Sequence, residues 1–313
     1  MKRSLLFLLL LAAGLHSRAQ DSLYHQTEVV LATAQDTIRG TLAIPRSGGK
    51  HVVALLIAGS GPTDRNGNNP MARNAALQLL ADTLAKRGIA TLRYDKRGIG
   101  ASAPAMGKES DLRFEHYIND AAGWIRLLKK DKRFSKVYVI GHSEGSLIGM
   151  ASAAGTQGFI SIAGAGFPAG EVLKKQLASL PEKMRETSRL LVDSLQSGHT
   201  VSSAPITLYS LFRPSVQPYL ISWFRYDPRV LVRTLRMPVL VLQGTNDLQV
   251  TVEDADALKA ANPRARMLLI PGMNHVLRIV PSDTKENMKS YGDASRPLAP
   301  ELVKAILDFL TKK

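Results

Sequence analysis

Six short, almost continuously apolar segments alternate with stretches of helical period, and that alternation constrains this chain more than any other feature. The segments are 51–58 (HVVALLIA), 90–95 (ATLRYD), 136–141 (KVYVIG), 158–163 (GFISIA), 238–244 (PVLVLQG) and 265–271 (ARMLLIP). A strand with one wet face alternates polar and apolar residues, whereas these are rich in Val, Ile and Leu at nearly every position, the pattern of strands buried on both faces. Between them, 71–87, 114–130, 144–155, 252–261 and 299–312 carry apolar residues at helical spacing. The spacing predicts βαβ crossovers, hence an α/β fold with a mostly parallel sheet covered on both faces. Ahead of it, 28–33 and 37–45 alternate polar and apolar residues across a turn near Asp36, which predicts an antiparallel hairpin.

One interval breaks the rhythm. The 70 residues 167–236 hold helical stretches at 171–180, 182–196 and 216–224 without a convincing strand, and read as a helical insertion between the fourth and fifth parallel strands. The expected organisation is therefore a core of 20–166 and 237–313, the insertion 167–236, and a separate segment 1–19. In that segment Lys2 and Arg3 precede an eleven-residue apolar run, 5–15, and Ser17 and Ala19 occupy the two small positions before Gln20. This is the charged, apolar and small-x-small pattern of a cleaved secretory signal, and the run is too short for the ~20 residues of a membrane span. A secreted or periplasmic protein without an integral membrane segment is expected.

The chain has no Cys, which excludes a disulfide scaffold, a thiol nucleophile and thiolate metal sites. Its seven His are isolated and no H-E-x-x-H occurs, so no metal is expected. The formal net charge is +15. Its basic residues are nevertheless scattered singly, without an aromatic-interleaved motif, which describes a solvated basic surface and no nucleic-acid partner.

The chemistry concentrates at 136–147, K-V-Y-V-I-G-H-S-E-G-S-L, where a buried strand runs into Gly141-His142-Ser143-Glu144-Gly145 and then a helix. G-x-S-x-G in that setting makes Ser143 a nucleophile on a turn too tight for side chains two residues away on either side. A serine hydroxyl needs a base and an orienting acid. On a sheet of this kind they follow in the order acid, then histidine, and only His199 and His275 come after Ser143. His275 sits in a loop just past the last strand; His199 lies in the insertion. Asp247 follows the strand 238–244 on the expected site edge, while Asp254 and Asp256 fall in the next helix, where acids serve the dipole. Oxyanion donors are expected from the N–H of Glu144 and from the glycine-rich loop 59–68, at Ser60 or, next to it, Gly61.

Two further patterns imitate nucleotide sites and fail. Gly98-Ile99-Gly100-Ala101-Ser102-Ala103 is followed by Pro104, not by a helix; Gly107-Lys108 is followed by Glu109, not Ser or Thr.

Gly-His-Ser-Glu-Gly, Gly-Thr-Asn-Asp, Asn-His, the loop Gly-Ser-Gly-Pro-Thr-Asp-Arg-Asn-Gly-Asn and the segment Arg93-Tyr94-Asp95-Lys96-Arg97-Gly98-Ile99-Gly100 together resemble the α/β-hydrolase superfamily. More narrowly they resemble bacterial exported esterases related to serine-aminopeptidase-like hydrolases. The resemblance spans 27–312; it departs at the oxyanion loop, where Ala58-Gly59 replaces the common His-Gly. It implies that 167–236 forms a cap and that 98–103 is a structural turn. The expected activity is cleavage of small-molecule carboxylic esters without a cofactor. An aminopeptidase would need cap acids such as Glu171, Glu182 or Glu186 to hold an ammonium, and a non-catalytic binding protein on the same fold is the third reading. The insertion carries ten Lys or Arg against five acids, with Trp223 and Phe224 among its aromatics, and predicts an apolar substrate pocket with a basic rim.

Overall fold

The computed structural model describes residues 23–34 and 36–312; the export signal expected at 1–19 lies outside them. In chain order the elements are β1 (Tyr24–Ala32), β2 (Thr37–Pro45), β3 (His51–Ile57), α1 (Ala76–Lys86), β4 (Ala90–Tyr94), α2 (Phe114–Lys130), β5 (Phe134–His142), α3 (Glu144–Ser152) and β6 (Gly158–Ile162). Then come α4 (Ala169–Gln176), α5 (Glu182–Gln196), α6 (Tyr209–Phe212), α7 (Gln217–Phe224), α8 (Pro228–Thr234), β7 (Val239–Gly244), α9 (Val252–Ala261), β8 (Arg266–Ile270), α10 (Thr284–Lys289) and α11 (Pro300–Thr311).

Among the described residues the strands form one sheet in the order β1-β2-β4-β3-β5-β6-β7-β8. β1 and β2 pair antiparallel from Tyr24↔Pro45 to Ala32↔Thr37, and β2 joins β4 antiparallel. From β4 onward every pairing is parallel. The carboxyl ends of β3 to β8 therefore share one edge, and the loops carrying Ser60, Lys96, Ser143, Asp247 and His275 all leave from it.

Five of the six continuous apolar runs have the cause expected of them; the sixth, β8, lies at the sheet edge with Leu268 39% exposed, so it is not buried on both faces. Along β3, Val53, Leu55 and Ile57 enter one core cluster while Ala54 and Leu56 enter the other, because successive strand side chains point to opposite faces. The second cluster is closed by α1 and α11 through Leu80, Leu84, Leu302 and Ile306. The first is closed by α2 and by helices of the insertion, including Trp124, Phe212 and Leu220.

Boundaries differ where local pattern is a poor guide. β1 starts at Tyr24, four residues before the expected strand, because pairing with β2 orders residues that do not alternate cleanly. Residues 71–75 of the expected first helix stay outside α1; Ala75 takes φ 52°, and the Asn68 and Asn74 side chains accept from the amides of Ala75 and Ala76. The short helices α8 and α10 were not legible as periodic stretches. Each begins at an Asp whose side chain accepts a helix amide, Asp227 from Arg229 and Asp283 from Glu286.

Candidate active site

Ser143 follows β5 and stands at the N-terminal cap position of α3 with φ 54° and ψ −123°, a backbone region that costs a non-glycine residue about 1–3 kcal/mol. The surrounding structure holds it there: its N–H donates to the Ile162 carbonyl at 3.0 Å, and its own carbonyl accepts from Ser146 at 2.9 Å. The flanking glycines are a steric requirement. A Cβ at Gly141 would stand 2.2 Å from the Gly145 carbonyl oxygen, and one at Gly145 would stand 2.2 Å from that of Ile57.

His275 and Asp247 come together across the same edge. His275 Nδ1 lies 2.8 Å from Asp247 Oδ2, and both side chains are buried. The other carboxylate oxygen accepts from the amides of Gln249 (2.8 Å) and Val250 (3.0 Å). Burial by itself would raise the Asp247 pKa, but the facing imidazole and these two amides outweigh it and hold the carboxyl below its ordinary value. The acid therefore remains ionised, and His275 Nδ1 is the donor. A tight turn presents His275: Leu277 takes φ 67°, Asn274 accepts from the Arg278 amide, and the Asn274 amide group donates to Asn287 and Ser290.

The rival residues are occupied elsewhere. Asp254 closes the first turn of α9 by accepting from the Thr251 amide and hydroxyl, and it also accepts from Gly166 N–H. His199 is exposed beyond α5. Asp120 is clasped by Arg97 through two bonds of 3.0 and 2.7 Å, so it offers nothing to a nucleotide ribose.

The glycine-rich loop passes directly beside Ser143. A Cβ at Gly59 would come within 3.1 Å of Ser143 Cβ, so any larger residue would have to displace its neighbours by a few tenths of an ångström. Ser60, the expected second donor, lines the site, and among the described residues its N–H donates to no protein group. The N–H of Glu144 opens α3 and has no intrahelical acceptor.

Ser143 sits where two cavities meet. One, of about 260 Å³, is lined by Gly59, His142, Ser143 and His275. The other, of about 570 Å³, is lined by Leu147, Leu173, Leu211, Val216 and Trp223 as well as Ser143. Ser60, Ser143 and Gln249 face both. Trp223 lines the larger cavity, stacked on Phe114 at 6.0 Å between centroids. Phe224 does not line it: it is 7% exposed and packs into the core, because adjacent helix positions face different directions. The expected basic rim is also corrected. The charged residues lining the larger cavity are Lys96, Glu109, Glu144 and Arg213, and they occur as two opposite pairs, Lys96–Glu144 and Arg213–Glu109.

The sequence offered Tyr219 only as one of the insertion's aromatics and Lys96 only as part of the 93–100 segment; neither was expected to support the site. Lys96 is 1% exposed; its Nζ donates to Glu144 Oε1 at 2.7 Å and to the Gly59 carbonyl at 2.5 Å. Tyr219 on α7 donates to Glu144 Oε2 at 2.5 Å. The available signal was a lysine two residues past the end of β4, at the site edge.

A family model described as serine aminopeptidase, S33, matches residues 73–212, an interval that contains Ser143 and ends before Asp247 and His275. The chain is 28% identical over 252 residues to Esterase EstD of Thermotoga maritima, a match covering 76% of this chain and 57% of that protein. It thus spans little more than half the length of this curated relative. Among solved structures, Est1E from Butyrivibrio proteoclasticus, determined with ferulic acid bound, superposes with a TM-score of 0.63 at 18% identity, covering 91% of this chain and 100% of that one. The α/β hydrolase GrgF from a Penicillium species superposes with a TM-score of 0.58 at 18% identity, covering 91% and 98%. At these identities the structural likeness concerns the fold.

Proposed function

We propose that the chain is a serine hydrolase of the α/β-hydrolase superfamily that cleaves carboxylic esters through an acyl-enzyme, a reading supported by the family-model match, the esterase relative and the fold. The observation that carries this reading is that His275, bonded to the buried Asp247, lines one cavity together with Ser143 on its strained turn.

In the proposed reaction His275 Nε2 takes the proton of Ser143 Oγ as the oxygen attacks the acyl carbon. Asp247 keeps the imidazole in the tautomer with Nδ1 protonated and stabilises the imidazolium that forms. The amides of Ser60 and Glu144 receive the oxyanion. Collapse of the tetrahedral intermediate breaks the carbon–oxygen bond, and His275 returns the proton to the departing alkoxide. A water then gives its proton to His275 and attacks the acyl carbon, and Ser143 recovers its proton as the acid leaves. The two cavities divide the substrate: an apolar acyl or aryl group fills the larger one, with the alcohol side toward His275. The paired charges lining the larger cavity favour neutral substrates.

Peptide release is the second reading, favoured by the description of the matching family model. Against it, none of Glu171, Glu182 and Glu186 lines the Ser143 cavity, and the acids that do, Glu109 and Glu144, are each bound to a cation. A fluorophosphonate probe should label Ser143, and a panel of esters and aminoacyl amides should show the esters cleaved faster. Faster amide cleavage would promote the peptidase; absence of both labelling and turnover would leave a binding protein.

The same reading includes residues 1–19 as a cleaved export signal and 167–236 as a cap over Ser143. Among the described residues no helix is long and apolar enough to cross a membrane. A mature protein beginning near Gln20 in an extracytoplasmic fraction is the expected result, and an unprocessed Met1 would reject the signal.

A further inference from the structure

The buried triad Lys96–Glu144–Tyr219 sits directly behind the nucleophile, and ester hydrolysis as described leaves it without a task. Its burial is costly. Taking an ammonium and a carboxylate out of water costs several kcal/mol per ion, and such pairs are often replaceable by apolar side chains without loss of stability. Lys96 and Glu144 have side chains only 1% and 2% exposed. Glu144 Oε1 takes Lys96 and Oε2 takes Tyr219. The Lys96 ammonium spends its donors on Glu144 and the Gly59 carbonyl and lies 5.0 Å from the centre of the Tyr117 ring.

The bond to Gly59 gives the arrangement a direction. The carbonyl of Gly59 and the N–H of Ser60 belong to one planar trans peptide and point opposite ways. A cation anchored on the carbonyl side fixes the rotation of that peptide. It also polarises the peptide, strengthening the N–H as a donor. The peptide lies against Ser143, and the Ser60 N–H has no protein acceptor among the described residues. Glu144 is bound to the same cation, and its own backbone N–H is the other expected oxyanion donor.

We propose that Lys96 is a positioning residue of the oxyanion hole: it orients the Gly59–Ser60 peptide, Glu144 holds the lysine in place, and Tyr219 joins the helical insertion to this support. The proposal rests on the serine-hydrolase reading. It assigns to a β4-loop lysine a function in stabilising transition-state charge, with no contact to the reacting atoms.

The test compares the wild type with Lys96→Met, Lys96→Met/Glu144→Gln and Tyr219→Phe, using a 4-nitrophenyl ester and a trifluoromethyl ketone that forms a tetrahedral adduct. The double variant removes both charges, so no lone buried carboxylate remains to unfold the protein. Expected for Lys96→Met and the double variant is a fall in kcat of about 10²-fold, the scale of losing one oxyanion donor, with KM changed less than about threefold. Ketone affinity should fall in proportion to kcat/KM. The double variant should be no worse than Lys96→Met, since Glu144 acts through the lysine. Tyr219→Phe removes one hydroxyl and should lose a few-fold in both kcat and ketone affinity; it carries the test if the lysine variants do not fold. Unchanged kcat and ketone affinity in folded variants, or a fall in activity with ketone affinity intact, would overturn the proposal. An inactive, unlabelled wild type would instead overturn the hydrolase reading.

Discussion

His142 Nε2 lies 2.9 Å from the backbone carbonyl oxygen of His275, with the two rings 4.8 Å apart at 49°. A carbonyl only accepts, so His142 carries its proton on Nε2. The bond ties the Ser143 turn after β5 to the turn that presents His275. Burial first, and then the neighbouring His275, push the His142 pKa down to about 4 despite Asp247 nearby, which keeps this donor uncharged at neutral pH.

A pH dependence of stability follows. The unfolded imidazole takes up a proton from about pH 6.5 downward, whereas the folded one resists until about pH 4. Across that window the unfolded state binds more protons, so His142 should cost stability as the pH falls from 6.5 to 4, by up to ~3 kcal/mol. His142→Gln keeps a donor and removes the titration. Melting curves between pH 7 and 4 should fall more steeply for the wild type than for the variant; parallel curves would contradict the assignment.

Asp247→Asn should fold normally and lose up to ~10⁴ in turnover, since the amide favours the wrong imidazole tautomer. Asp254→Asn should lose ~1 kcal/mol through its weakened cap on α9 and keep its activity. The reverse pattern in kcat would move the acid to Asp254.

Gly59→Ala should separate catalysis from stability. The added methyl meets Ser143 Cβ at 3.1 Å and should push the proposed oxyanion loop outward, lowering kcat by about tenfold or more with little change in Tm. Gly141→Ala meets backbone at 2.2 Å and should instead lower Tm by several degrees, the consequence of ~1–3 kcal/mol of overpacking. Thermal scans beside steady-state assays distinguish the two.

Trp223→Ala should lower kcat/KM for bulky aryl or long-chain esters about tenfold more than for acetates, because it removes a wall of the larger cavity. Phe224→Ala should cost ~3–5 kcal/mol of stability without altering the preference, as expected for a core ring. Equal losses on acetate and bulky esters for Trp223→Ala would take it out of the substrate pocket.

What the sequence determined by itself is local or ordinal. A strand buried on both faces is legible in a few residues, and the turn at Ser143 declares itself because glycines two positions away on either side answer a clash within five residues. Asp247 and His275 were reachable because the fold orders them along the chain and places both after strand ends. The tertiary structure decided whatever depends on partners far apart in sequence. Lys96 meets Glu144 across 48 residues, Tyr219 meets Glu144 across 75, and His142 meets the His275 carbonyl across 133. No periodicity encodes such pairings. Counting charges predicted a basic rim, whereas packing set Glu109 against Arg213 and neutralised it. Counting aromatics put Trp223 and Phe224 in one pocket, whereas the roughly 100° turn between adjacent helix positions sent one to the cavity and the other to the core.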